Sequence, residues 1–336
     1  MRRINIGSLN LLNLRSVGKG IYGSPGYSEA QFQDKVRWIG AMFDQLACEL
    51  IAVQEVFDQD ALQACVERSD HMRQCAAVIA PHAQSGNDLP RVGLVCRLPL
   101  LSPVESIVDI PAQAVAPLAG APEIGIADHA HHRFSRPVLA VTVNLGGKDH
   151  PIPARVYVVH LKSRRPRRLV GTAGAYDGVA ESIDDPSIEA RAHLRSLMMR
   201  GIEATGIRHL VLRDLLGSRM PVIVMGDFND HAKAMTTELI TGRMQVNARQ
   251  RRDHLLWHAA ALQRPHALKR DIGYTKIHLG EPDSIDHILV SEEFLRDSRH
   301  AIGEIVDVAW FNDHLNDPAT QRSDHGAIRA TLELAG

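Results

Sequence analysis

The chain has no surplus of charge of either sign, no long apolar run and few cysteines, and each shortage removes a class of protein. Lys and Arg number 38 against 39 Asp and Glu, a formal net charge of −1. That balance excludes a polycation that coats nucleic acid unselectively, so any affinity for phosphate must come from local patches. No apolar run reaches the roughly 18 residues that a membrane helix needs. The N-terminal MRRINIGSLN enters strand-like alternation at once, without an apolar stretch of signal-peptide length. The expectation is a cytoplasmic protein with no membrane span. Cys48, Cys65, Cys75 and Cys96 form neither a C-x-x-C pair nor a zinc-type spacing, which leaves them reduced and packing. Internal repeats, low-complexity tracts and linkers are also missing, and nothing in the sequence calls for a protein partner.

What is present is ample core material. With 336 residues, 45% hydrophobic and 23% charged, the chain reads as one large domain spanning 1–336. Strand-like runs occupy 3–12, 49–56, 91–97, 138–144, 154–160, 221–226, 284–291 and 327–334. Several are apolar on both faces, as a sheet covered on both sides requires. Between them, residues 28–46 carry Phe32, Val36, Ile39, Phe43 and Leu46 at helical steps, opened by a Ser28/Gln31 capping box. A second helix is predicted from about Ser187 to Leu216, with a break at Gly201 or Gly206. The interleaving argues an α/β or α+β sandwich, not a helical bundle. Residues 98–135 and 250–271 are poorly patterned and are read as substrate-facing walls.

Polar residues recur where apolar runs stop. Asn10, Glu55 and His160 follow the first, second and fifth runs, while VIVMGDFND ends its strand in Asp227 and Asn229. Asp286 lies in SIDHILV, and Asp324 and His325 precede the last strand. A single Asp or Asn in such a place is usually a turn former. The repetition of carboxylate, amide and imidazole points to an active site at the strand ends. Glu55, Asp324 and the Asn10 amide oxygen are hard donors of the kind Mg²⁺ takes, too few to replace its water shell. Asp286 with His325 could form a carboxylate-held general base. Asp230, on the other side of the alternation, reads as a cap for an element beginning at His231.

In order along the chain, SLNLLNL, AVQEVF, VVHLKS, VMGDFND, SIDHILVS and SDHGAIRATL resemble the motifs of the endonuclease/exonuclease/phosphatase superfamily, the deoxyribonuclease I-like fold. The resemblance runs from residue 8 to residue 332. It implies an α+β, four-layer α/β/β/α sandwich of two mixed β-sheets flanked by helices. It also implies that Asn10 and Glu55 hold a divalent metal, Mg²⁺ or Mn²⁺ as one or two ions, with Asp324 close by. Asp227 and Asn229 would orient the attacking water and a phosphate oxygen or serve a second metal position. His325, aligned by Asp286, would activate water or stabilise charge, and His160 would assist the leaving group.

Arg136 precedes a strand and could clamp a phosphate. KSRRPRR at 162–168 follows His160, so Lys162, Arg164 and Arg165 are read with Arg136 as phosphate-binding. DHAHH at 128–132 is a weaker metal-binding candidate. EPDSIDHIL stands where inositol phosphatases carry P-x-W-C-D-R, and VQEVFD where apurinic endonucleases favour L-Q-E-T-K. The resulting expectation is a metal-dependent phosphodiesterase, foremost a nuclease acting on DNA or RNA by direct water attack. A phosphatase or phosphodiesterase for small or lipid phosphates is the alternative, and a noncatalytic nucleic-acid-binding member the third.

Overall fold

The computed structural model describes residues 1–336 apart from 22, 24, 76, 80–88, 120–130, 169–183, 219, 244–251, 266–272, 318–321 and 336, and leaves the side chains of 77–79 and 116–119 aside. The chain begins with β1 (Arg2–Leu14), α1 (Glu29–Leu46), β2 (Leu50–Val56), α2 (Gln59–Glu67), β3 (Ala77–Ile79) and β4 (Arg91–Cys96). It continues through β5 (Glu105–Asp109), α3 (Ala112–Ala119), β6 (Arg133–Asn144), β7 (Pro153–His160), α4 (Pro186–Gly217), β8 (Val222–Asp227) and α5 (Met235–Thr241). Last come β9 (Trp257–His258), α6 (Ala259–Leu262), β10 (Lys276–His278), β11 (Glu281–Asp283), β12 (Asp286–Val290), β13 (Gly303–Phe311) and β14 (Ala327–Leu334).

Two six-stranded sheets result, in the orders β13-β14-β1-β2-β4-β3 and β5-β6-β7-β8-β12-β9. Each is mixed, because β1 runs parallel to β2 and β7 parallel to β8 among antiparallel neighbours. Alternation along β7 shows why its run is apolar throughout. Val156 and Val158 join Ile6, Leu50, Leu94 and Ile288 in the core between the sheets. Tyr157 and Val159 point the other way, onto Ile207, Leu210 and Val211 of α4. Helices α1 and α2 cover the far face of the first sheet through Val36, Ile39, Phe43, Leu62 and Val66. The layers are therefore helix, sheet, sheet, helix.

Helix α1 starts with the predicted capping box: Gln31 N–H donates to Ser28 Oγ at 3.3 Å and Ser28 N–H to Gln31 Oε1 at 2.9 Å. Helix α4 corrects the expectation of a break. It runs unbroken for 32 residues, and Gly206 serves packing instead: a Cβ there would lie 2.8 Å from Ile110 Cγ2 and 3.0 Å from Phe134 Cζ. The reading of 98–135 as a wall also fails for its described part. That segment supplies β5, α3 and the start of β6, and Ile107, Ile110 and Val115 pack in the outer α4 layer. Within 250–271, Leu256, just before β9, and Ala259 of α6 are buried, whereas 250–251 and 266–271 lie outside the described residues. No helix among the described residues is long and apolar enough to cross a membrane. All four cysteines are free thiols, with Cys48, Cys65 and Cys96 buried.

Candidate active site

Register across the second sheet does the first assembly step. His160 on β7 pairs with Asp227 on β8, and Asp227 with Asp286 on β12, so one row carries three polar side chains. Close approach of β8 to β7 requires Gly226, with φ of 144° and no room for a Cβ, which would stand 2.0 Å from the Val159 carbonyl oxygen. The first sheet closes the row from above. Asn10 Nδ2 donates to Asp227 Oδ2 at 3.1 Å and approaches Glu55 Oε1 at 3.3 Å. His325 Nδ1 meets Asp286 Oδ2 at 2.9 Å, and its Nε2 lies 3.9 Å from Asp227 Oδ2. Ser323 fixes the loop that carries His325, donating to the Asn10 carbonyl at 2.5 Å and accepting from His325 N–H at 3.0 Å.

The surrounding backbone is strained at four non-glycine residues: Leu12, Asn13, Glu55 and Asn229 have φ of 48°, 55°, 60° and 53°. Such conformations cost on the order of 1–3 kcal/mol each and persist where other contacts hold them. Here the turn at Leu12 and Asn13 aims two N–H groups inward, Leu12 N–H at Asn10 Oδ1 (3.0 Å) and Asn13 N–H at Glu55 Oε2 (3.0 Å). Asn229 N–H caps Asp227 Oδ1 at 2.8 Å, while its side-chain amide donates to the Leu161 carbonyl at 3.0 Å.

Burial and neighbouring charge separate the protonation states. Burial, then the Asp286 carboxylate, raises Asp227 from 3.8 to about 6, although His325 and Asn10 oppose the rise. Burial alone would strip the proton from His325, but Asp286 and Asp227 outweigh it and lift the ring to about 9. His160 goes the opposite way, held well below 6.5 by burial and by Arg136, His325, Lys162 and Lys276. Near neutral pH the site thus holds a cationic His325, a neutral His160 whose Nε2 lies 3.4 Å from Asp227 Oδ2, and an acid poised to gain a proton. At the rim Asp324 pairs with the Lys276 ammonium; His325 and Lys276 overcome burial and hold its carboxyl below the ordinary value.

The donor set fits a small hard cation. The Asp227 and Asp286 carboxylates each bring an oxygen within 4.8 Å of the other, and buried Asp286 Oδ1 has no hydrogen-bond partner, whereas His325, an imidazolium bonded to Asp286, has no lone pair to offer. Asn10 is held at both ends of its amide: its oxygen accepts the Leu12 N–H, and its nitrogen bridges Glu55 and Asp227, because an amide NH₂ is the group that relieves two facing carboxylates.

The phosphate-binding expectations divide. Arg136 is half-buried beside His160 and donates to the Leu161 carbonyl at 3.2 Å. Lys162 folds back onto the Ser163 and Arg165 carbonyls, and burial with Arg136 lowers it to about 8. Arg164 is bound by Asp230 at 3.0 Å and Asp283 at 3.3 Å, which removes it from the free cations; Arg165 is exposed. Asp230 is not a cap, since α5 begins later, at Met235, after Ala234. It accepts from Thr236 Oγ1 at 2.8 Å and pairs with Arg200 at 3.1 Å. In the DHAHH segment, 128–130 lie outside the described residues and His131 binds Glu203 at 2.9 Å.

The sequence profile described as "Endonuclease/Exonuclease/phosphatase family" matches residues 8–325. The chain belongs to this family. Its members are phosphoric ester hydrolases. No curated protein matches the chain by sequence. Solved family-like structures share its fold at low identity. A mannosyl-6-phosphatase of Bacteroides thetaiotaomicron is similar at 13% identity and a TM-score of 0.56, covering 98% of this chain and 100% of that one. Truncated Caenorhabditis elegans TDP2 is similar at 12% and 0.56 over 99% and 98%, and the human Nocturnin catalytic domain, with bound sulfate, at 12% and 0.53 over 99% and 95%.

Sequence reasoning missed Lys35, Lys276, Arg200 and Glu203. Lys35 left a signal, a lysine inside the apolar stripe of α1 between Phe32 and Ile39; it is fully buried, and burial lowers it to about 8. Arg200 and Glu203 likewise interrupt an inward face that includes Ala192, Ile207 and Leu210. Lys276 left none, because its place follows from the bridge between its backbone and that of His325.

Proposed function

We propose that the chain hydrolyses phosphodiester bonds of nucleic acid by direct attack of water, with Mg²⁺ or Mn²⁺ as cofactor. The observation that carries this reading is the His160–Asp227–Asp286 row closed by His325. Glu55, with Asn10 and Asp324 beside it, would hold the divalent ion, which would supply positive charge to a phosphate oxygen. Asp227, its pKa raised to about 6, accepts the proton of the attacking water, and Asn229 holds that carboxylate through its backbone N–H. His325, kept cationic by Asp286, donates to the oxygen on which charge accumulates. His160 is neutral and sits on the opposite flank of Asp227, where it can donate to the leaving oxygen. Exposed Arg165 and Arg167, with half-buried Arg136, offer charge to a polyanion on that flank.

A second reading, a small phosphate ester as substrate, is favoured by the internal pairing of Lys162, Arg164 and Arg168. Cleavage of single- and double-stranded DNA and RNA, measured with each ion and with chelator beside a panel of phosphomonoesters, tests both. Nuclease activity lost in chelator, and lowered about 10²–10⁴-fold in His325→Ala, supports the first. Turnover of monoesters alone supports the second, and chelator-resistant cleavage overturns the mechanism.

A further inference from the structure

Two charged side chains on the inward face of α4 hold the strand ends on which the site is built. Glu203 is 1% exposed. Its Oε1 accepts Ser135 N–H at 2.8 Å and meets His131 Nε2 at 2.9 Å; its Oε2 accepts Lys162 N–H at 2.7 Å. One turn earlier, Arg200 is 5% exposed. It donates to the carbonyl of the same Lys162 at 3.2 Å and to Asp230 Oδ2 at 3.1 Å. Both backbone groups of Lys162, two residues after His160, are thus bonded to one helix. Asp230, three residues after Asp227, is drawn to that helix and ties Arg164 and Thr236 in turn. Residues three apart on a helix share a face, so a single rigid surface grips the start of β6, the end of β7 and the end of β8.

We infer that Arg200 and Glu203 are positioning residues that set the spacing of His160, Asp227 and Asn229 through Lys162 and Asp230. The inference rests on the hydrolase reading for its kinetic consequence but not for its structural one. The physical warrant is that a shift of about 1 Å in a catalytic group can cost about 10²-fold in rate, while a loop end hydrogen-bonded only to water could not be held so closely. A structural role alone would satisfy buried N–H groups without fixing this spacing. The same helix supplies the comparison: near its other end, Asp214 accepts from Tyr157 Oη at 2.5 Å and pairs with Arg155 at 3.4 Å, away from the catalytic row.

The test compares Arg200→Met, Arg200→Lys and Glu203→Gln with Asp214→Asn in the full chain. It uses thermal unfolding, hydrolysis of bis(p-nitrophenyl) phosphate with Mn²⁺, and ¹³Cε1-histidine NMR, with the His160 signal assigned by His160→Ala. Arg200→Met and Glu203→Gln are expected to lower kcat about tenfold or more with KM within about twofold, and to move the His160 resonance. Arg200→Lys should recover part of both, and Asp214→Asn should lower Tm while leaving kcat and the resonance in place. An unmoved His160 signal, or a kcat loss no larger than that of Asp214→Asn, overturns the inference. If the wild type fails to cleave the diester with any divalent ion, the phosphodiesterase reading falls, and the resonance alone decides the positioning role.

Discussion

Two neighbouring rows of the second sheet, separated by one pleat, show opposite uses of burial. In the first, Val158, Met225 and Ile288 pair across β7, β8 and β12 and close on the first sheet at 0–2% exposure. Two residues away on each strand, on the same face, stand His160, Asp227 and Asp286, at 3% exposure or less. Burial in the first row contributes stability through removal of apolar surface from water. In the second it crowds two carboxylates and an imidazole into a space that favours fewer charges, and so raises the pKa of Asp227 and lowers that of His160. The site is therefore the edge row of the core with its chemistry changed, and it keeps the core's rigidity.

Replacing the central acid should break the contrast most strongly. Asp227→Asn is expected to lower phosphoester hydrolysis about 10²–10⁴-fold, yet to raise stability in chelator at pH 7. The sign follows from the folded-state value of about 6 against 3.8: between them the folded protein binds the extra proton, so stability falls as pH rises through that window. Urea denaturation at pH 4.5 and pH 7 should show the variant gaining on the wild type at the higher pH, and an equal gap at both would refute the account. In the apolar row, Ile288→Ala should do the reverse, losing about 3 kcal/mol of unfolding free energy through a cavity. A loss under about 1 kcal/mol would mean that the row collapses to fill the space.

The outer layer allows a finer comparison. Gly206→Ala sets a methyl against Ile110 and Phe134 and should cost about 1–3 kcal/mol by overpacking. Gly201, on the same helix, has nothing within 4 Å of its missing Cβ. Gly201→Ala should stabilise by about 0.5–1 kcal/mol, readable as a small rise in Tm. Equal effects at the two glycines would remove the packing explanation for Gly206.

Much of this was written in the sequence, because it depends on local order. The apolar runs marked β1, β2, β4, β6, β7, β8, β12 and β14, and the Ser28/Gln31 pair marked the start of α1. The short edge strands β5 and β9 and the strand β13 carry weaker alternation, and α3 lay hidden in an Ala- and Pro-rich stretch. The polar strand ends were legible one by one, since each follows an apolar run directly. Which of them meet was decided only by packing. Asn10 reaches Asp227 from the other sheet, across 217 positions of sequence, and His325 reaches Asp286 across 39. Asp230 looked like a cap because its partner Arg200 stands on a helix 30 residues earlier, and KSRRPRR looked uniformly free because Asp283 and Glu189 come from elsewhere in the chain. Periodicity fixes which way a side chain points relative to its own element. What that side chain faces, and hence its charge, is set by the element packed against it.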